Sequence, residues 1–96
     1  MKRTVNRVHH VIGMVRPENF ESAISKMSLS LQTPCYGPFD RPDHGIRVAI
    51  SMDAGIELIA PLATDKGDQL IASLNALGER WISVVVAVRN LDKACE

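Results

Sequence analysis

Residues 8–17 read VHHVIGMVRP, a run of β-branched and apolar residues that Arg16 and Pro17 close. A short apolar run bounded by a turn signal is typical of a largely buried strand. Pro17 suits the first turn of a helix, and the apolar residues after it recur at spacings of three and four. The segment therefore predicts a strand that leads directly into an amphipathic helix, with an apolar face made of Phe20, Ala23, Ile24, Met27 and Leu31.

The segment that follows the predicted helix, residues 32–45, contains three prolines and two glycines. This composition predicts an irregular loop, with at most a short edge strand near Cys35 and Tyr36, that forms the rim of a pocket. Further along, apolar residues at helical spacing predict a helix over 66–77, which Gly78 is suited to end. A β-branched strand at 81–88 and the start of another helix at 90–96 complete the predicted order.

A hairpin is predicted in the middle of the chain. Residues 46–52 alternate, which is typical of a half-buried strand whose Arg47 and Ser51 lie on the face opposite Ile46. Asp53-Ala54-Gly55 has the chemistry of a turn, and the sequence IELIA at 56–60 then predicts the second strand of the hairpin.

A weak internal repeat links the two ends of the chain. Met14-Val15-Arg16, before the first helix, is echoed by Ala87-Val88-Arg89 at an offset of 73 residues. A strand-then-helix unit thus occurs twice, and the second copy is expected to be incomplete. We predict one incomplete domain over 1–96, with a first βαβββ module at 5–62, a linker helix at 63–80, and the first strand and helix start of a second module at 81–96.

The composition excludes several classes of protein. With 11 basic and 11 acidic residues, one Trp and one Tyr, the chain has neither the positive surface nor the aromatic platform that nucleic-acid binding uses. Its apolar runs are too short to span a membrane, so a cytoplasmic protein is expected. Cys35 and Cys95 are expected to be free thiols, because two distant cysteines make no disulfide framework.

Two motifs carry a resemblance to a known family: HVIGMV at 10–15, followed by a helix, and GIELIAPL at 55–62. Together they resemble the vicinal-oxygen-chelate superfamily of glyoxalases, bleomycin-resistance proteins and extradiol dioxygenases, nearest to its methylmalonyl-CoA epimerase and glyoxalase I branches. The resemblance implies an α+β fold in which two βαβββ modules pair to form a cupped sheet. It also implies a homodimer, or a second module in the same chain, that completes the cup.

In this superfamily the cupped sheet holds a divalent metal ion, and each module supplies one ligand from its first strand and one from its last. By position, His10 and Glu57 match the first pair, and Glu57 is also the residue expected to move a proton. By the repeat offset, Ser83 stands where the second module would have a histidine. Since serine is a poor metal ligand, a metal-free cup stays an alternative.

Other residues have both a functional and a structural interpretation. Arg47 and Ser51 share one strand face and are candidates for substrate binding: one interpretation is that they line the same concavity as Glu57, and the other is that they lie on the solvent side of the strand. Ser83 is a candidate for substrate binding. His9 is expected to point away from His10, because neighbouring strand residues alternate.

Three functions remain open at this stage. The first is a metal-assisted isomerase, epimerase or lyase that acts next to a carbonyl group of a small molecule. The second is a non-catalytic small-molecule binding protein of the bleomycin-resistance type, which Ser83 favours. The third and weakest is an extradiol-type dioxygenase. That chemistry uses two histidines and a carboxylate, and Ser83 stands where the second histidine would be.

Overall fold

The structure of the protein, a computed structural model, describes residues 7–87. Five strands and two helices follow one another along the chain, and a 3-10 turn at Pro17–Asn19 precedes the first helix. In order, they are β1 (Arg7–Met14), α1 (Phe20–Leu31), β2 (Tyr36–Arg41), β3 (Ile46–Ser51), β4 (Ile56–Pro61), α2 (Asp65–Leu77) and β5 (Arg80–Ala87). The predicted helix over 90–96 and Cys95 lie outside the described residues, whereas Cys35 is a free thiol.

The strands form one mixed sheet in the order β2-β3-β4-β1-β5. The central strand β1 pairs in parallel with β4 and antiparallel with β5, and the other two pairings are antiparallel. The predicted α+β fold, a βαβββ unit followed by a helix and a further strand, is therefore confirmed. Within residues 7–87, no helix is long and apolar enough to cross a membrane.

Each face of the sheet is covered by one helix. We call the two sides the α1 face and the α2 face. On the α1 face, Phe20 of the helix packs against the buried Ala49, Leu58 and Ala60. On the α2 face, Leu74 of the helix packs in the same way against Met14, Val48 and Ile59. Burial of apolar surface in these two clusters is the main force that holds the helices to the sheet.

A close approach of two backbones fixes the start of α2. The hydroxyl of Thr64 accepts a hydrogen bond from the N–H of Gly67, which is a typical N-cap. A Cβ at Gly67 would lie 1.7 Å from the carbonyl oxygen of Leu62, and a Cβ at Gly45 would lie 2.6 Å from the nitrogen of Gly67. Because there is no room for side chains, the two glycines let the loop before β3 pack directly on the helix.

The weak repeat in the sequence is matched by a two-fold symmetry in the pairing of β1 with β5. His10 pairs with Val85, Val11 with Val84, and Ile12 with Ser83. Each residue of β1 in these pairs has its repeat equivalent in β5, 73 residues later: His10 corresponds to Ser83, Val11 to Val84 and Ile12 to Val85. Replacing every residue by its equivalent turns the first pair into the third and leaves the middle pair unchanged. A two-fold axis relating the two strands thus passes beside this central pair, and Ser83 holds the place in β5 that His10 holds in β1.

The predicted loop over 32–45 is wrong in part, because six of its residues form strand β2. All six are exposed, so the segment shows no apolar alternation that the sequence could reveal. Its backbone nevertheless pairs with β3, through Phe39 opposite Val48 and Asp40 opposite Arg47. The pairing is irregular between Tyr36 and Phe39, where Pro38 has no N–H to donate.

Candidate active site on the open part of the α2 face

A histidine and a glutamate meet on the neighbouring strands β1 and β4. Nε2 of His10 lies 3.2 Å from Oε1 of Glu57, and their side chains are only 14% and 19% exposed. Glu57 pairs with Ile12 and Ile50, so it lies on the α2 face, two residues before the buried Ile59. A carboxylate within a mostly apolar strand needs a polar partner, and His10 supplies it.

The donor atoms of this pair are spaced as two neighbouring metal ligands would be. Ligand bonds of about 2.1 Å at tetrahedral or octahedral angles place adjacent donors roughly 3.0–3.4 Å apart. The distance of 3.2 Å between His10 and Glu57 falls within that range. Among residues 7–87, no group of three or more His, Cys, Asp or Glu side chains is placed to hold a metal. The pair therefore fits a divalent ion as half of a ligand set.

His9 lies beside His10 rather than on the opposite face, so the expected alternation is wrong here. The β1–β5 pairing is irregular between Val8 and His10, which leaves His9 without an opposite residue in β5. Such a bulge re-aims a side chain. Nδ1 of His9 lies 2.7 Å from Nδ1 of His10, and the two rings meet edge to face with centroids 5.0 Å apart. The sequence gives only the His-His dipeptide as a signal for this contact.

Ser83 lies on the same face as the His10–Glu57 pair. Ser83, Ile12, Glu57 and Ile50 form one row across β5, β1, β4 and β3. Since His10 pairs with Val85, Ser83 is its diagonal neighbour, a position about 7–8 Å away in antiparallel strands. Ser83 is exposed and borders an open groove of about 550 Å³ that Trp81 and Val84 also line. Its role in substrate binding stays a prediction.

Arg47 and Ser51 do not share a face with Glu57, and that expectation is wrong. Arg47 pairs with Ala60 and Ser51 pairs with Ile56, so both lie on the α1 face. Ser51 is fully buried, and its hydroxyl contacts that of Thr33 at 3.2 Å and accepts a hydrogen bond from the N–H of Ala54. These contacts account for Ser51 as a structural residue that joins the end of α1 to the β3–β4 turn.

Arg47 is exposed at the outer strands of the sheet and pairs with Asp40, at 2.7 Å between Nε and Oδ1. The hydrogen bond to Arg47 lowers the pKa of the Asp40 carboxyl, and the same bond raises the pKa of the guanidinium. A second lowered pKa is that of the Glu79 carboxyl. Its carboxylate accepts hydrogen bonds from the backbone N–H of Arg16 and the amide of Asn19, and the first of these is the larger cause of the shift. Sequence reasoning did not single out Glu79.

The fold defines a class: a βαβββ unit followed by a helix and a further strand that pairs with β1 is a glyoxalase-like half module. The chain is similar to the structure of a hypothetical protein from Bacillus halodurans, with a TM-score of 0.74 and 19% identity over 95% of this chain and 64% of that one. It is also similar to methylmalonyl-CoA epimerase from Mycobacterium tuberculosis, with a TM-score of 0.71 and 26% identity over 92% of this chain and 59% of that one.

A third similar structure is methylmalonyl-CoA epimerase from Streptomyces coelicolor in complex with 2-nitronate-propionyl-CoA. The TM-score is 0.68 and the identity 15%, over 96% of this chain and 69% of that one. The chain thus spans less than two thirds of the length of the first two structures. No protein-family profile and no curated protein matches the sequence.

Proposed function

We propose that the chain is part of a metal-assisted isomerase or epimerase that moves a proton next to a carbonyl group. The observation that carries this proposal is the 3.2 Å contact of His10 Nε2 with Glu57 Oε1, on adjacent strands and on the α2 face of the sheet. The similarity to two methylmalonyl-CoA epimerases supports the same reaction class. The proposed substrates are therefore acyl thioesters with an acidic C–H beside the carbonyl.

The chemistry of the pair suits proton transfer. Glu57 is the proposed base: one of its oxygens takes the proton from the carbon beside the carbonyl of one epimer, and in the reverse reaction gives a proton to the same face of that carbon. His10 keeps the carboxylate aimed through the contact of its Nε2 with Oε1 of Glu57. A bound divalent ion would stabilise the enolate that forms when the proton leaves. Inversion also needs an acid on the opposite side of that carbon, which we assign to the second half of the site.

We further propose that a second copy of this chain supplies that half. His10 and Glu57 give two donors, whereas a catalytic metal site usually has three protein ligands. A symmetric dimer would bring together two such pairs. Sedimentation velocity and metal analysis test this directly: we expect a dimer that binds one metal ion. A monomer with one metal ion per chain would contradict the second copy as the source of ligands.

The rival function is a small-molecule binding protein without metal. The observation that favours it is the exposed Ser83, which stands in β5 where His10 stands in β1. A hydroxyl there would hydrogen-bond to a polar ligand but would hold a metal weakly. The two functions differ in whether the wild-type chain binds a divalent ion through His10 and Glu57.

The deciding experiment is equilibrium dialysis of the full chain against Co²⁺ and Mn²⁺. We expect Glu57→Gln and His10→Ala to lose metal affinity by at least about 100-fold, because each removes a ligand. The matched controls are Glu21→Gln and His44→Ala, which change exposed residues elsewhere in the fold. Wild-type protein that binds no metal would contradict the enzyme proposal and leave the binding protein.

A second experiment measures the reaction. The full chain is incubated with methylmalonyl-CoA in D₂O and a divalent ion, and loss of the C–H signal beside the thioester is followed by NMR. We expect the wild type and Glu21→Gln to catalyse exchange of this hydrogen for deuterium. With Glu57→Gln we expect no exchange above the background rate. Equal exchange rates in Glu57→Gln and the wild type would show that Glu57 is not the base.

A further inference from the structure

The His10 ring is held at both of its nitrogens. Nε2 faces Glu57 at 3.2 Å, and Nδ1 faces Nδ1 of His9 at 2.7 Å. Since an imidazole has only these two polar atoms, the two contacts together fix both the position and the rotation of the ring about its χ angles. The half-buried His10 is thus oriented by one residue on β4 and by one residue on its own strand.

The bulge in β1 is what makes the second contact possible. In a regular strand His9 would point to the α1 face, but the irregular pairing between Val8 and His10 turns it toward His10. Bulges of this kind occur beside active sites, where they redirect a side chain. The bulge is thus a specific feature of the strand that carries the proposed ligand.

We propose that His9 is a positioning residue that orients His10 for metal binding. The inference rests on the proposed function, because it requires His10 Nε2 to be a ligand. When Nε2 binds a metal ion, the proton of a neutral imidazole must be on Nδ1, and metal-binding histidines donate that proton to a partner. Nδ1 of His9 lies at hydrogen-bond distance to accept it. His9 itself touches neither substrate nor metal.

The test compares three substitutions in the full chain by Co²⁺ dialysis and visible absorption. His9→Phe keeps a ring but removes the acceptor, so we expect metal affinity to fall about 10–100-fold, as it does when a ligand loses its hydrogen-bond partner. His9→Asp provides a new acceptor, so we expect affinity close to that of the wild type. His44→Phe, at an exposed site, is the matched control and should leave the affinity unchanged.

The outcomes separate this inference from the proposed function. Equal affinity of His9→Phe and the wild type would overturn the positioning role while metal binding through His10 stands. Failure of His9→Asp to rescue the affinity would likewise overturn it, because bulk and not the hydrogen bond would then be responsible. A wild-type chain that binds no Co²⁺ would overturn both. The ¹⁵N shift of His10 Nδ1 reports the contact without metal, and we expect His9→Phe to change it.

Discussion

The two faces of the sheet differ in how far their helices cover them. On the α1 face, Phe20 and the small residues Ala49 and Ala60 are buried, and the polar Ser51 is satisfied within the protein. On the α2 face, the helix covers Met14 and Ile59 but leaves the His10–Glu57 row partly open. Polar residues thus stabilise the fold on the first face and are available for chemistry on the second. The predictions below test this difference by substitutions whose effects on stability, and for two of them on metal affinity, are measured.

The largest expected effect on stability is that of Gly67→Ala, at the start of α2. In an ordinary helix this substitution stabilises by up to about 1 kcal/mol. Here the new methyl group would collide with the carbonyl of Leu62, so we expect a loss of about 3 kcal/mol or more. Urea denaturation measures the change, with Ala76→Gly on the exposed part of the same helix as the control. A stabilised Gly67→Ala would refute the close approach of Gly67 to the carbonyl of Leu62.

The next effect is that of Ser51→Ala, which distinguishes a structural residue from a binding residue. Loss of the buried hydroxyl leaves Thr33 with a poorer partner, so we expect unfolding to become easier by about 1–2 kcal/mol. Metal affinity should not change, because Ser51 lies on the α1 face. The control is the exposed Ser30→Ala. Weaker metal binding with unchanged stability would restore Ser51 as a site residue.

A smaller, pH-dependent effect is expected at Glu79, which joins the start of α1 to the start of β5. Its two hydrogen bonds lower the pKa of the carboxyl from its ordinary value of 4.5. A depressed folded-state pKa means that the stabilisation is present above the unfolded-state pKa and is lost as the pH falls through the folded-state value. We therefore expect Glu79→Gln to lower the urea midpoint at pH 7 and to differ less from the wild type at pH 3. A difference independent of pH would contradict this.

The smallest effect is expected for Arg47→Ala. The ion pair of Arg47 with Asp40 is exposed, and exposed pairs contribute little to stability. We expect a slight change in the urea midpoint that disappears at 1 M salt, where such pairs are screened. Metal affinity should equal that of the wild type, since the side chain is on the α1 face. A marked loss of affinity would place Arg47 in the site after all.

Most of the fold was predictable because its elements have clear periodicity. The strand before Pro17, the helix with Phe20, the hairpin around residues 53–55 and the helix before Gly78 all lie where their patterns indicated. Strand β2 is longer than the short edge strand expected near Cys35 and Tyr36, because exposure of all six of its residues leaves no alternation to read. Long-range pairing, not local preference, makes it a strand.

The site was predictable in its central pair but not in its surroundings. Alternation correctly predicted that Arg47 and Ser51 lie on the opposite face of the strand from Ile46. Which of these two faces also carries Glu57 depends on the β3–β4 register. Glu57 pairs with Ile50, and a shift of one residue would have placed it opposite Ser51 and reversed the outcome. The contact of His9 with His10 depends on a bulge in the pairing of β1 with β5, two strands that are far apart in the sequence.

The order of the strands also bears on how the chain folds as it is synthesised. The strand β1 leaves the ribosome first, yet both of its partners, β4 and β5, come last. Its backbone N–H and C=O groups lack a partner strand until almost the whole described chain has been made, and contacts of such long sequence separation form slowly. A nascent chain therefore exposes this aggregation-prone strand for most of its synthesis, so expression should respond to chaperones that bind extended apolar segments.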